Sequence, residues 1–215
     1  MELRNLKGTT TVGIVFKDGV VLAADKRASA GTFIASKVAK KIHPITRRIV
    51  FTISGLVADA QILVRWMKNY MNRLTLRRGR EPTVREVANL VSVVMHDYFK
   101  SLLPFITHLL IGGYDRRGPH IYFLDHAGGV QEDKYLATGS GSPIAMGILE
   151  SGYRDDLAED EAILLALRAL SAAMKRDTAT GDGIDLVVIK KEGIKTFTPK
   201  EIDELLKKIN SRSKK

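Results

Sequence analysis

Gly8-Thr9-Thr10-Thr11-Val12-Gly13-Ile14-Val15-Phe16, then Lys17-Asp18-Gly19 and Val20-Val21-Leu22-Ala23-Ala24, is the stretch on which the reading of this chain turns. Two apolar runs, 9–16 and 20–24, flank a turn sequence, and Asp-Gly between such runs is a strong hairpin signal. Threonine is β-branched and suits a strand entrance, so Thr9–Thr11 need no other purpose on that reading. A second reading starts from a cut between Gly8 and Thr9. One residue would then carry a nucleophilic hydroxyl and a free α-amino group with a reference pKa of about 7.7–8.0. A hydroxyl needs an adjacent base to attack a carbonyl, and a threonine paired with its own N-terminal amine meets that need. Three threonines alone do not choose between the two.

Beyond the hairpin, strand candidates follow at 33–36, 40–45 and 48–54, the last rich in bulky β-formers and stopped by Gly55. From Ala58 to about Arg78 the apolar period turns helical, through Ile62, Leu63, Trp66, Tyr70, Met71 and Leu74, and Gly79 closes the helix. Thr83 and Glu86 have capping-box spacing for a second helix running to about Lys100. Strands return at 107–114 and 119–125, joined through Arg116, Arg117 and Gly118, and Gly128-Gly129 turns into a strand around 131–137. Ser142-Pro143 reads as an N-cap followed by Pro at the first helical position, opening a helix to about Gly152. Another helix covers about 159–175, and strands at 184–190 and 194–198 precede a last helix opened by Pro199. Strands and helices come in blocks rather than alternating. That order argues an α+β fold with largely antiparallel sheets and helices on their outer faces.

The 215 residues, 45% hydrophobic and 27% charged, suit one globular domain, and nothing reads as a linker or repeat. No apolar run approaches the ~20 residues of a membrane span. The leader MELRNLKG carries Glu2, Arg4 and Lys7 without an apolar core, so it does not read as a secretory signal. Zero cysteines exclude a thiol nucleophile, disulfides and Cys-based metal sites, and fit a reducing cytoplasm. The net charge of +10 raises nucleic-acid binding, but the basic residues are scattered doublets (Lys40-Lys41, Arg47-Arg48, Arg77-Arg78, Lys190-Lys191) without interleaved aromatics. Solvated faces and subunit contacts explain them better.

Familiar catalytic schemes are missing: no G-x-S-x-G elbow, no H-E-x-x-H zinc helix, no phosphate-binding G-x-x-x-x-G-K-[ST] loop. The five histidines show no ligand spacing, and no metal or cofactor is implied. Gly139-Ser140-Gly141-Ser142 has the look of an anion cradle at a helix N-terminus, although such runs more often cap a helix through a tight turn.

Taken together, GTTTVG at 8–13, AADKR at 23–27 followed by Lys40-Lys41, SGLVADAQ at 54–61, ATGSGSP at 137–143 and KRDTATGDGID at 175–185 resemble the β subunits of the proteasome core particle, of the archaeal kind. The resemblance spans nearly the whole chain. It implies an N-terminal-nucleophile hydrolase fold, a four-layer αββα sandwich of two facing antiparallel sheets flanked by helices, and a threonine endopeptidase. Residues 1–8 would be a pro-segment removed by self-cleavage after Gly8, leaving 9–215 as a single peptidase domain with a short polar tail. Thr9 would be the nucleophile and its own amine the base. Lys41 would lower the pKa of that amine and hydroxyl, Asp25 would hold Lys41, and the Gly55 N–H would bind the oxyanion. Ser140, Asp177 and Thr180 would hold the threonine in place; at the last position the family commonly has serine, so an added methyl must fit.

By the same resemblance, Ala28, Ala39, His43, Ile53 and Val57, with Gln61 near the floor, line the pocket for the residue before the cut, and Ser29, Gly55 and Val57 flank the substrate backbone. No carboxylate or Lys/Arg lines that pocket, which favours apolar residues, with a protonated His43 softening the exclusion of acidic ones below about pH 6.5. The implied partners are proteasome α subunits, other β subunits in seven-membered rings, a separate unfolding ATPase and unfolded polypeptide substrates. An α subunit is a poorer match, since it would carry an N-terminal helical extension in place of the Gly-Thr leader. The two-ring bacterial relative shares the nucleophile but is less similar at 137–143 and 175–185. A purely structural β subunit would have no need of Thr9, Asp25 and Lys41 together, and a nucleic-acid-binding module would bind with steep salt dependence.

Overall fold

Strand β1 (Thr10–Phe16) turns back through Lys17-Asp18 into β2 (Gly19–Asp25), as the sequence leads one to expect. This is a computed structural model, and it describes residues 8–212; the expected pro-segment 1–8, apart from Gly8, and the tail end at 213–215 lie outside the described residues. The Asp-Gly signal is shifted by one position. Phe16 pairs with Gly19, so Lys17-Asp18 form the two-residue loop and Gly19 is already in the strand. There a side chain would stand 2.3 Å from the Ile189 carbonyl, so the glycine serves close strand packing rather than the turn.

A short hairpin, β3 (Ala28–Ala30) and β4 (Phe33–Ser36), follows. Next come β5 (Ile42–Pro44), β6 (Ile49–Gly55), α1 (Val57–Arg78) and α2 (Val84–Lys100). Gly79 ends α1 in the left-handed conformation at φ 64°, and Thr83 with Glu86 forms the expected reciprocal capping box on α2. Strands β7 (Thr107–Asp115), β8 (Gly118–Leu124), β9 (Val130–Asp133) and β10 (Tyr135–Gly139) precede α3 (Ser142–Gly152) and α4 (Glu159–Arg176). The chain finishes with β11 (Ile184–Lys190), β12 (Gly193–Thr196) and α5 (Pro199–Arg212).

Two five-stranded antiparallel sheets result, one in the order β10-β1-β2-β11-β12 and the other β5-β6-β7-β8-β9. The single strand expected around 131–137 is in fact two. β9 pairs with β8 in one sheet and β10 with β1 in the other, so the chain crosses the sandwich at Lys134. Hydrophobic periodicity alone does not register such a crossing. The cap of α3 also differs: Gly141 is the N-cap, while the Ser142 hydroxyl donates back to the Gly139 carbonyl at 2.7 Å.

Alternation along the central strands builds four layers. On β2, Val21 and Ala23 join the core beneath α3, α4 and α5, while Val20, Leu22 and Ala24 face the second sheet. On β6, Ile49, Phe51 and Ile53 pack under α1 and α2, and Val50 turns inward. Strands buried on both faces explain the unbroken apolar runs of the sequence. Among the described residues no helix is long and apolar enough to cross a membrane.

Candidate active site

One carboxylate organises one end of the sandwich. Asp25, the last residue of β2, is fully buried. Its Oδ1 accepts from Lys41 Nζ at 2.6 Å and from the Thr10 N–H at 2.8 Å. Its Oδ2 accepts from the N–H groups of Arg27 and Gly181, both at 3.0 Å. Four donors from four segments offset the cost of burying the charge, which an unpaired carboxylate could not meet. Lys41 also donates to the Arg27 carbonyl at 2.5 Å. Burial pushes its ammonium below the ordinary lysine value, and Asp25 pulls the other way through charge and hydrogen bond.

Next to Thr10 lies Thr9, itself buried. Its hydroxyl donates to the Gly8 carbonyl at 2.5 Å, and its carbonyl accepts the Ser140 N–H at 2.9 Å. The Thr9 N–H lies 3.5 Å from Ser140 Oγ, which donates to Asp177 Oδ2 at 2.5 Å. Thr180, almost wholly buried with its methyl accommodated, donates to the same Asp177 oxygen. Its one proton is thereby committed, so the 2.7 Å contact between Thr10 Oγ1 and Thr180 Oγ1 has Thr10 as donor. Glycines let these segments touch: a side chain at Gly8 would stand 1.8 Å from Ser29 Oγ, and one at Gly139 would stand 1.9 Å from the Thr9 carbonyl oxygen.

Gly55 ends β6 at φ 127°, where a side chain would stand 2.2 Å from the Ile106 carbonyl oxygen. The Ser54 carbonyl accepts from Thr107 Oγ1 at 3.0 Å, on the β7 side. In a trans peptide the N–H points opposite to the C=O. The Gly55 N–H therefore projects away from β7, toward the side on which the Ile53 N–H meets the Lys41 carbonyl at 3.1 Å.

The expected substrate-contacting residues fall on four elements and one loop. His43 and Ile53 lie on the helix-facing side of β5 and β6. Val57 and Gln61 stand one turn apart, both exposed, at the start of α1. Ala28 and Ser29 open β3, and the Ala39 N–H is tied to the Lys26 carbonyl at 2.9 Å. The expectation that His43 charges below about pH 6.5 is corrected. Burial first, then the nearby Lys40 and Lys68, bring its pKa down to about 4.

Several members of the site escape sequence reasoning. Arg27 supplies a backbone donor and acceptor, and its guanidinium bonds Asp182 at 2.7 Å and the Thr178 carbonyl at 2.7 Å, clamping the 177–183 loop. Thr10 and Gly181 contribute through backbone N–H groups. All three lie inside the quoted motifs, but backbone donation leaves no mark on residue type.

The sandwich, with a buried Lys–Asp pair beside a threonine at the head of β1, has the fold of the N-terminal-nucleophile hydrolases. The proteasome subunit family model matches residues 6–189, and the chain belongs to that family, a family of proteases, as a β subunit of archaeal type. A protein of Ferroglobus placidus named proteasome subunit beta is 52% identical over 206 residues, 94% of this chain and 96% of its own. Its namesake in Archaeoglobus fulgidus is 48% identical over 209 residues, 97% of each chain. Proteasome subunit beta 2 of Hyperthermus butylicus is 46% identical over 206 residues, 96% of this chain and 95% of its own. Membership of the family implies assembly with other proteasome subunits.

Proposed function

We propose that this chain is a threonine endopeptidase that works on unfolded polypeptides inside a closed particle. The observation that carries the reading is Asp25 Oδ1, shared between Lys41 and the N–H of the residue following Thr9. It fixes a buried cation beside the one threonine that becomes N-terminal if the chain is cut after Gly8.

In the precursor, Thr9 Oγ adds to the Gly8 carbonyl carbon, the Gly8–Thr9 C–N bond breaks, and the acyl group passes to oxygen as an ester. Water hydrolyses that ester, releasing residues 1–8 and the free amine. The hydrogen bond from Thr9 Oγ1 to the Gly8 carbonyl oxygen holds the two reacting groups together, and the lack of room for a side chain at Gly8 explains the glycine. In the mature enzyme the amine takes the hydroxyl proton, directly or through a water, as Oγ attacks the substrate carbonyl. Lys41 favours the less positive forms of both groups. The Gly55 N–H meets the developing oxyanion, while Ser140, Asp177 and Thr180 hold Thr9. The proton then passes to the leaving amine, and water hydrolyses the acyl ester. No cofactor enters.

Cleavage falls after apolar residues held by Ala28, Ala39, His43, Ile53, Val57 and Gln61, with the substrate backbone extended beside Ser29, Gly55 and Val57. The particle consists of seven-membered β rings between rings of α subunits in the cytoplasm, fed by a separate unfolding ATPase. Intact mass of the protein purified with its α partner tests the reading. Loss of residues 1–8 together with hydrolysis of a fluorogenic peptide is expected, and a chain that keeps its leader yet cleaves peptides would overturn it.

A further inference from the structure

Among the buried groups that the mechanism above leaves unused is a set of hydroxyls lying between the two sheets directly behind Thr9 and Gly55. Thr52 Oγ1 donates to Thr11 Oγ1 at 2.9 Å, bridging β6 and β1. Thr11 Oγ1 lies 3.2 Å from Thr138 Oγ1 on the neighbouring β10. Thr138 Oγ1 lies 2.8 Å from Ser54 Oγ, back on β6. From the opposite, helix-facing side of the second sheet, where alternation along β7 places Thr107 with Leu109 and Ile111, Thr107 Oγ1 donates to the Ser54 carbonyl. All five residues are at most 3% exposed.

Beyond its pairing with His108 in the β6–β7 ladder, Ser54 is held by two further hydroxyls, Thr138 at its side chain and Thr107 at its carbonyl. That carbonyl and the Gly55 N–H belong to one planar peptide, so whatever fixes the first aims the second. Ile106 and Thr107 also press on Gly55 from behind, with no space for a side chain. Meanwhile Thr11 lies two residues after the nucleophile on β1, and Thr138 precedes Gly139, which packs on the Thr9 carbonyl.

We infer that Thr107, supported by the Thr52–Thr11–Thr138–Ser54 hydroxyl chain, is a positioning residue that aims the Gly55 N–H at the oxyanion and fixes its distance from Thr9 across the sandwich. The inference rests on the peptidase reading above. None of these hydroxyls touches substrate. They act on a peptide that does, and oxyanion donors contribute only when pre-aimed, because misdirection by a fraction of an ångström wastes the interaction.

The test uses assembled particles whose β chains have been brought to begin at Thr9, as verified by intact mass. Thr107→Val keeps the shape and removes the hydroxyl; Thr107→Ser keeps the hydroxyl. For Thr107→Val, kcat on a fluorogenic peptide should fall roughly tenfold to a hundredfold with KM within about twofold. A peptide aldehyde, whose adduct places an oxyanion against Gly55, should lose affinity by the same factor, whereas the matching peptide alcohol should not. Thr107→Ser should recover most of the rate. Thr138→Val should show the same split more weakly and stands in if Thr107→Val does not assemble. A wild-type kcat in the valine variants, or an equal loss for aldehyde and alcohol, would overturn the inference. A wild-type particle that cleaves no peptide would instead remove the reading beneath it.

Discussion

The space between the two sheets has two ends built on opposite principles. At the end away from the site, Val20, Leu22, Val50, Ile121, Val187 and Ile189 meet as an apolar core with no hydrogen-bonding side chain among them. At the site end, inward positions of β1, β6 and β10 carry Thr11, Thr52, Ser54 and Thr138 instead, all buried and linked by hydrogen bonds. The backbone alternation is identical; only the side chains change. Apolar contact is non-directional and tolerates small shifts. A chain of hydrogen-bonded hydroxyls specifies distances and angles, and each member left unpaired costs about 1–3 kcal/mol. The difference separates a region that supplies stability from one that supplies geometry.

The comparison fails at once if the site end does no chemistry. Thr9→Ala should bring peptidase activity to background and leave the leader attached, with the fold intact, since the methyl group of alanine fits where threonine stood. An alanine chain that loses its first eight residues unaided in purified form would refute both roles. Next in size, Lys41→Ala should lower turnover by about 100-fold or more, and it should also weaken the fold by about 3–5 kcal/mol, because Asp25 is left buried without its cation. Lys40 is exposed where Lys41 is buried, so Lys40→Ala should change turnover less than about twofold. Equal effects on a fluorogenic peptide would break the assignment.

Smaller still should be the discrimination at the residue before the cut. With no charged side chain among its expected contacts, hydrolysis should be faster after Leu, Tyr or Phe than after Arg or Glu. The sign of its pH dependence follows from His43, whose pKa of about 4 in the folded chain is below the ordinary 6.5. The folded state favours the neutral imidazole, so its contribution to stability is complete above about pH 6.5 and is lost as pH falls toward 4. Between pH 8 and pH 5.5 the ring stays neutral and the preference should not move. Peptides differing only at that position measure this, and a gain for Glu over Leu at pH 5.5 would indicate a charged His43.

Most of the fold was legible because periodicity and caps were strong. The β1–β2 hairpin, the helix closed by Gly79 and the Thr83–Glu86 capping box all follow from local chemistry. The crossing at Lys134 was not, because β9 and β10 are separated by one residue and only pairing with distant partners tells them apart. In the site, Thr9, Asp25 and Lys41 stood out only through the family motifs; alone, each reads as an ordinary strand or surface residue. The hydroxyl network had no sequence signature at all. Threonine is a common strand former, and whether its Oγ meets another hydroxyl depends on the spacing of two sheets brought together from residues 11, 52 and 138.

The finest test of the contrast lies at the apolar end, where the expected effect is least. Ile189 is fully buried on β11, pairs with Val20 across the sheet, and lies five residues beyond Ile184, which pairs with Asp25. At about 3.3 Å per residue that places it some 16 Å along the strand from the Asp25 carboxylate. Ile189→Val removes one methylene from a site that packs but orients nothing. It should cost about 0.5–1.5 kcal/mol in denaturant unfolding and leave kcat and KM unchanged. The interior is packed densely enough to transmit strain, so the null result on kcat is not guaranteed by distance alone. A drop in kcat rivalling that of Thr138→Val would mean that the apolar end also sets catalytic geometry, and the division between the two ends would be lost.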